Sequence, residues 1–461
     1  MGRKIQVCAL SLIGAFGYTA SASAQVAAET PNTTAPAAPA APAPAAPAVA
    51  PETKTEPDVT GAAAAPAAPP IAHEPTPAPV APPPDAPAPT AFESLKIESK
   101  NGSASLKVGL LLQPQFETIG SSTAANEGSA NNLFVRRARL LIGGTLFKNF
   151  EYFFETDTPN LFKADAAGAK SIPAMWVTDA FMTWKAYDDF LKFDVGYMLT
   201  PGAHNALQGA GTLLGLDYFS NSFNHQFVFN TGGPLVPVAG RDAGLEVRGL
   251  LLDNHIEYRA GLFQGLRRAP EAAVPPDTTG EIASQNMFRF AGRLQINLLD
   301  AETGFFYAGT YLGKKKVASV GAALDVQSSY VHWAVDGFLD MPAGPGSLTA
   351  QVNFSKWNGG TFIPPNMAMP PQPQLPNQTA LMAEAGYRFD AFPIAPIAKI
   401  ELQNFADSDA ANTRIGGGLA YFPYGHNVNL KAFFTNINAK PATGDSHSYN
   451  QFQLQGQLYF Y

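Results

Sequence analysis

The sequence predicts an all-β fold, a transmembrane antiparallel β-barrel of about sixteen strands preceded by a disordered Ala/Pro-rich segment. Three observations predict it. Beyond residue 90 no stretch holds the roughly 20 apolar residues that a membrane-crossing helix needs, and helical periodicity is scarce. Many segments of about ten residues instead alternate apolar with polar or small residues, the signature of strands with one face toward lipid and one toward water. The connections between them mostly alternate long and short, as in barrels with long loops at one rim and tight turns at the other.

The chain begins with Arg3 and Lys4, a short apolar run (VCALSLIGAFGYTA) and a small-x-small site at Ala22-Ser23-Ala24. This pattern predicts a secretory signal peptide over 1–24; the apolar run is too short to span a bilayer. The one cysteine, Cys8, lies inside that run, so neither a disulfide framework nor a thiolate metal site is expected. Residues 25–92 are mostly Ala and Pro, a composition that cannot bury a core and that favours an extended, semi-rigid spacer. The spacer reads either as a passive linker or as a tether touching the cell wall. A net charge of -7 argues against a nucleic-acid partner.

Residues 93–461 form the expected barrel domain. Its strands are expected near 105–117, 133–146, 150–158, 176–186, 190–198, 242–252, 255–264, 287–298, 317–326, 329–340, 347–357, 379–389, 396–405, 412–422, 427–437 and 449–460. In the first, Leu106, Val108, Leu110, Leu112 and Phe116 alternate with Lys107, Gly109, Leu111, Gln113, Gln115 and Glu117. In the last, QFQLQGQLYFY, glutamines 451, 453, 455 and 457 alternate with Phe452, Leu454, Gly456 and Leu458. That strand is expected to close the barrel on the first, with the amides in the lumen and the apolar set toward lipid. An even strand count leaves both ends of the barrel on the periplasmic side. Two connections break the alternation: 299–316 is too long and Gln327-Ser328 too short, and GFFYAGTYL could hold a further strand. A soluble β-sandwich is the competing fold, and the regular loop alternation disfavours it.

Several segments in order resemble the phosphate-selective porin family, porins O and P. They are FVRRARLLIGGTLFKNFEYFFETD (134–157), DAFMTWKAYDDFLKFDVGYMLTP (179–201), GRDAGLEVRGLLLDNHIEYRAGLFQG (240–265), TYLGKKKVASVGAALDVQ (310–327) and the terminal QGQLYF. The resemblance covers roughly 100–461. It implies a sixteen-stranded, homotrimeric outer-membrane porin that carries anions such as phosphate by passive diffusion. The expected partners are therefore outer-membrane lipid, small anions and two further copies of the chain, with no cofactor. A general, weakly selective porin and a structural outer-membrane anchor with little conductance are the alternatives. The body from 93 onward carries 27 basic and 31 acidic residues, so anion selectivity would need a local excess of cations.

Candidate pore-lining cations follow from strand phase. Arg137 and Arg139 share a luminal face; Arg139 should lie opposite Asp157 with Glu155 diagonal to it, either as a wall-bracing salt bridge or as part of a basic strip. Arg136 falls on the other face, where its side chain could reach the interface. Arg289 and Arg293 share a face with no acid nearby in sequence, which makes them stronger candidates for attracting anions. Lys107, Lys185, Arg259, Arg388, Lys399 and Lys431 also have luminal phase, as do Glu257, Glu384 and Glu401. Loops 199–241 and 358–378 are candidates to fold inward, helped by Tyr218, Phe219, Phe223, Phe227 and Phe229. No enzyme is expected: the seven histidines lack metal-ligand spacing, no nucleophile or phosphate-binding motif is present, and His332 beside Ser328 or Ser329 has luminal phase.

Overall fold

The computed structural model describes residues 95–121, 128–164, 168–170, 173–218, 240–265, 288–359, 361–362, 372–373 and 377–461. The expected signal peptide and spacer lie outside the described residues. Nineteen strands are described. They are β1 (Leu95–Glu98), β2 (Ala104–Gly120), β3 (Ser129–Leu146), β4 (Phe150–Asp157), β5 (Trp176–Tyr187), β6 (Leu191–Leu199), β7 (Arg241–Leu251), β8 (Ile256–Phe263), β9 (Arg289–Asn297) and β10 (Val317–Gln327). They continue with β11 (Tyr330–Ala343), β12 (Gly346–Gly359), the two-residue ribbon β13 (Thr361–Phe362) and β14 (Gln372–Pro373), β15 (Gln378–Phe389), β16 (Ile394–Phe405), β17 (Ala411–Tyr421), β18 (Val428–Lys440) and β19 (His447–Phe460).

Sixteen of these, β2–β12 and β15–β19, pair antiparallel with their neighbours in sequence order. β19 returns to β2, with Phe460 opposite Leu110 and Gln455 opposite Gln115, and so closes the barrel. All sixteen expected strands are present. β1 is an addition: it pairs Leu95 with Val108 and Glu98 with Ser105, covering the part of β2 that lies beyond the end of β19. Closure matters physically because an open sheet edge in hydrocarbon would leave backbone groups unpaired.

The alternation of the sequence becomes an alternation of burial. Along β9, Arg289, Arg293, Gln295 and Asn297 are buried while Phe290, Leu294 and Ile296 are exposed. The same holds for Trp333 and Val335 against His332 and Asp336, and for Leu454 and Leu458 against Gln455 and Gln457. Burying charge and exposing large apolar side chains is the reverse of a water-soluble domain, and it suits a barrel whose solvent on the outside is lipid.

Register shifts interrupt this phase at three places, one of them between Lys185 and Tyr187 near the β5–β6 turn. Between β2 and β3 the register steps from Gln113 opposite Arg137 to Pro114 opposite Val135, so Arg136 is the extra residue. A bulged residue drops out of the alternation. Arg136 is therefore buried on the luminal side, not on the outer face as strand phase alone suggests. Between β4 and β5 a second step places Thr178 and Asp179 both inside.

The two irregular connections are real features of the fold. β9, β10 and β11 pair without a break in register, from Asn297 opposite Ser319 to Gln327 opposite Tyr330. Residues 298–316 form a long connection at the rim that otherwise carries tight turns, such as Asp253-Asn254 with positive φ at both residues. GFFYAGTYL does not join the barrel sheet; it turns into the lumen.

Candidate functional site

The lumen is narrowed by two chain segments that enter from opposite rims. From the long-loop rim, residues 200–218 leave β6 and run inward through two short 3-10 turns, His204–Leu207 and Ala210–Thr212. Small residues dominate this stretch (GAHNALQGAGT), so its backbone can lie close to the wall. From the other rim comes 298–316. The two meet backbone to backbone: the Tyr307 N–H donates to the Leu207 carbonyl at 2.9 Å, the Gly209 N–H to the Tyr307 carbonyl at 2.9 Å, and the Thr310 N–H to the Thr212 carbonyl at 3.1 Å. Loop 199–241 thus folds inward over its described part; most of 358–378, and Phe219, Phe223, Phe227 and Phe229, lie outside the described residues.

Side chains join the segments to one another and to the wall. His204 Nε2 is 2.7 Å from Glu302 Oε2, with the imidazole stacked between the rings of Tyr307 (4.6 Å) and Phe338 (4.1 Å). Gln208 Nε2 lies 3.1 Å from His204 Nδ1, which leaves Nε2–H to donate to Glu302. Lys431 donates to the carbonyls of Leu213 (2.6 Å) and Gly215 (2.8 Å), and Lys399 to those of Asp217 (3.0 Å) and Tyr218 (2.7 Å). Gln457, from the terminal strand, donates to the Gly211 carbonyl at 2.8 Å. Asp340 accepts from the Tyr311 N–H at 3.0 Å and from the Thr310 hydroxyl at 2.8 Å. Luminal cations and amides are thus engaged with backbone carbonyls that would otherwise be unpaired.

The sequence-selected cations are distributed around the wall rather than gathered in one cluster. Arg139 lies opposite Asp157 in register and bonds both Asp157 (2.9 Å) and Glu155 (2.9 Å). Arg137 pairs with Asp217, donates to Gln113 Oε1 at 2.9 Å and stacks over the Tyr218 ring. Arg136 also binds Asp217, at 2.7 Å. Arg289 pairs with Asp325. Arg293 holds Asp336 through both terminal nitrogens, at 2.6 and 2.8 Å, and donates to the Gly202 carbonyl at 3.0 Å. Arg259 binds Glu257 at 2.8 Å and the carbonyls of Phe305 (2.8 Å) and Gly304 (3.2 Å). Lys185 pairs with Glu151, and Arg388 with Asp390 at 2.8 Å, both nearer solvent.

The acids absent beside Arg289 and Arg293 in sequence are therefore supplied by β10 and β11. Gly321 makes the second reach possible: a Cβ there would collide with the Arg293 guanidinium. Asp217, His204 and Glu302 were not singled out by sequence reasoning, because strand phase says nothing about residues in connections. Burial raises the Asp217 carboxyl, but Arg136 and Arg137 outweigh it and hold the group well below the ordinary aspartate range. Glu302 is likewise raised by burial yet held lower overall by His204 and by the Tyr311 hydroxyl.

Chambers flank the constriction. Toward the long loops a polar chamber of about 220 Å³ is lined by Glu117, Lys163, Asp217, Lys399, Glu401 and Arg414 among others. Toward the tight turns a larger one of about 540 Å³ carries Lys96, Lys107, Lys185, Lys192 and Arg248 against Glu98, Glu151 and Asp189.

Comparison with solved structures returns outer-membrane barrels. The outer membrane channel DcaP of Acinetobacter baumannii aligns at 12% identity over 80% of this chain and 100% of its own, with a TM-score of 0.49. OmpF of Salmonella typhi aligns at 13% identity over 79% of this chain, TM-score 0.48. OprB of Pseudomonas putida aligns at 10% identity over 77% of this chain and 94% of its own, TM-score 0.48. The likeness is one of fold. No protein-family model matches the chain, and no curated protein matches it. The comparisons support the barrel fold and do not confirm the specific phosphate-selective porin family.

Proposed function

We propose that this chain is a bacterial outer-membrane porin through which small polar solutes diffuse passively, with weak charge selectivity. The observation that carries the reading is the lumen itself: a charge-lined interior inside an apolar-faced closed barrel, narrowed by two inward segments. Its cations pair with carboxylates or carbonyls, so the field along the path is balanced rather than strongly positive. In this reading the N-terminal spacer and the C-terminus face the periplasm, the apolar band meets lipid, and copies associate as the homotrimer that the family resemblance implies.

Passage of small anions such as phosphate is the finer form of the proposal. It is supported by the five cations of the tight-turn chamber and by the motif resemblance. Arg137, Arg139, Arg259, Arg289 and Arg293 then shape the field from the wall, and their acids Glu155 and Asp157 moderate it. A second reading, a wall-binding anchor with little conductance, is favoured by the meeting of the two segments in mid-lumen.

Single-channel reversal potentials under a salt gradient, repeated with millimolar phosphate, test these readings. A small anion preference without block is expected. Block of the chloride current by phosphate would replace the weakly selective reading with a dedicated anion site. No conductance, together with spacer-dependent pull-down of peptidoglycan, would favour the anchor.

A further inference from the structure

Between residues 208–212, residues 303–311 and the barrel wall lies a chamber of about 340 Å³ whose lining is rich in aromatic rings. Aromatic and charged side chains meet in it. The wall contributes Leu111, Leu141, Phe153, Tyr459 and Tyr461 beside Arg139, Glu155 and Arg241, and the inward segment adds Phe306. Phe153 presents its ring edge-on to Phe306 (5.5 Å, 63°) and to Tyr461 (5.6 Å, 79°). The wall and the inward segment are both cut back to receive these rings. Cβ atoms at Gly109 and Gly143 would collide with Tyr461, and one at Gly211 with Tyr459. Aromatic surface in a water-filled passage is unfavourable unless something apolar covers it.

The charges at the chamber edge decide what that something is. Arg139 and Arg241 line it, each already tied to carboxylates. Lys315 lines it too; among the described residues its ammonium donates to the Ala301 carbonyl and sits 5.4 Å from the Tyr311 ring centre, and it has no carboxylate. An ammonium offers three donors, so it can take a further acceptor. With Glu155, which also lines the chamber, held by Arg139, the charge left over is that of Lys315, and it favours an anion over an organic cation despite the aromatic walls. A flat ring with an anionic group satisfies both the walls and the edge.

We propose that this chamber is a binding subsite for small ring-bearing carboxylates, with the ring among Phe153, Phe306 and Tyr461 and the carboxylate on Lys315. The proposal rests on the porin reading and names a solute class for its path. The volume, at the small end of ligand pockets, suits a single ring with its water.

The test is a titration of the refolded full chain in detergent micelles, followed by saturation-transfer NMR, with benzoate, benzyl alcohol, cyclohexanecarboxylate, acetate and glucose as probes. Empty micelles give the partitioning blank. Benzoate should bind saturably, about tenfold tighter than acetate and measurably tighter than cyclohexanecarboxylate. Lys315→Gln, on a half-exposed side chain, should weaken benzoate about fivefold or more and leave benzyl alcohol unchanged. Phe306→Leu should weaken benzoate and leave acetate alone. Equal binding of benzoate and acetate, preference for glucose, or indifference to both substitutions would overturn the assignment. Planar-bilayer conductance is measured in parallel. A channel that conducts without binding benzoate loses this subsite only; one that binds benzoate without conducting loses the porin reading only.

Discussion

His204 and Glu302 enter the lumen from opposite rims and meet at 2.7 Å, so a side-chain hydrogen bond adds to the backbone bonds between the two segments that narrow the passage. Both side chains are almost wholly buried. A bond made there strengthens in a low-dielectric setting and is costly to leave half made. His204→Ala should leave the Glu302 carboxylate with the Tyr311 hydroxyl but no partner on the facing segment, and loosen the contact by about 1–3 kcal/mol. The expected outcome is a larger or noisier single-channel conductance with an unchanged circular-dichroism spectrum. An unaltered current trace would mean that the backbone bonds at Tyr307 and Thr310 suffice.

Acid should open the same constriction. Asp217 and Glu302 both have carboxyls held below their ordinary range. Groups of this kind contribute attachment that is complete above the normal carboxylate pKa, about 4, and is lost as pH falls toward the lowered values. Conductance should therefore be flat from neutral pH to about pH 4 and rise below it. Asp217→Asn should raise conductance at neutral pH and flatten the acid response. A profile with its step near pH 6 would instead implicate a histidine.

Lys431 is buried, and two carbonyls of the inward segment are its hydrogen-bond acceptors. Lys431→Met keeps much of the stem and removes both donors. The carbonyls of Leu213 and Gly215 would then lose about 1–3 kcal/mol of satisfaction. Fluorescence from a dye placed on residues 210–216 should report faster motion, while the temperature of barrel unfolding on gels stays close to that of the parent.

Arg293 tests wall against path. Removing one partner of a buried ion pair costs about 3–5 kcal/mol because the other charge is stranded. Arg293→Ala should therefore lower the unfolding temperature, and Arg293→Ala with Asp336→Ala should recover part of the loss. Gly321→Ala should mimic the single variant, since its methyl group displaces the guanidinium. A change in ion selectivity with no change in stability would place Arg293 in the permeation path.

Much of the fold was legible in the chain. The Leu106-to-Glu117 alternation became β2, and the amide face of 451–457 became a luminal ladder in which Gln455 donates to Gln115 and Gln453 to Glu117. Arg139 opposite Asp157 followed from a tight turn and a period of two. Arg136 did not follow, because a bulge inserts a residue that composition does not mark. Asp325 and Asp336 could not be matched to Arg289 and Arg293, since the reach crosses strands and, for Arg293, depends on the missing side chain of Gly321.

The sequence by itself determined the strands, their faces and the inside-out distribution of charge, because alternation is a local property that lipid on one side and water on the other impose on every strand. The tertiary structure alone decided how the lumen is occupied. Residues 200–218 and 298–316 carry no periodic pattern, and their place is set by where backbone carbonyls find Lys431, Lys399 and Arg259. Those partners come from strands far apart in sequence, brought around one lumen by barrel closure, and no local pattern encodes that meeting.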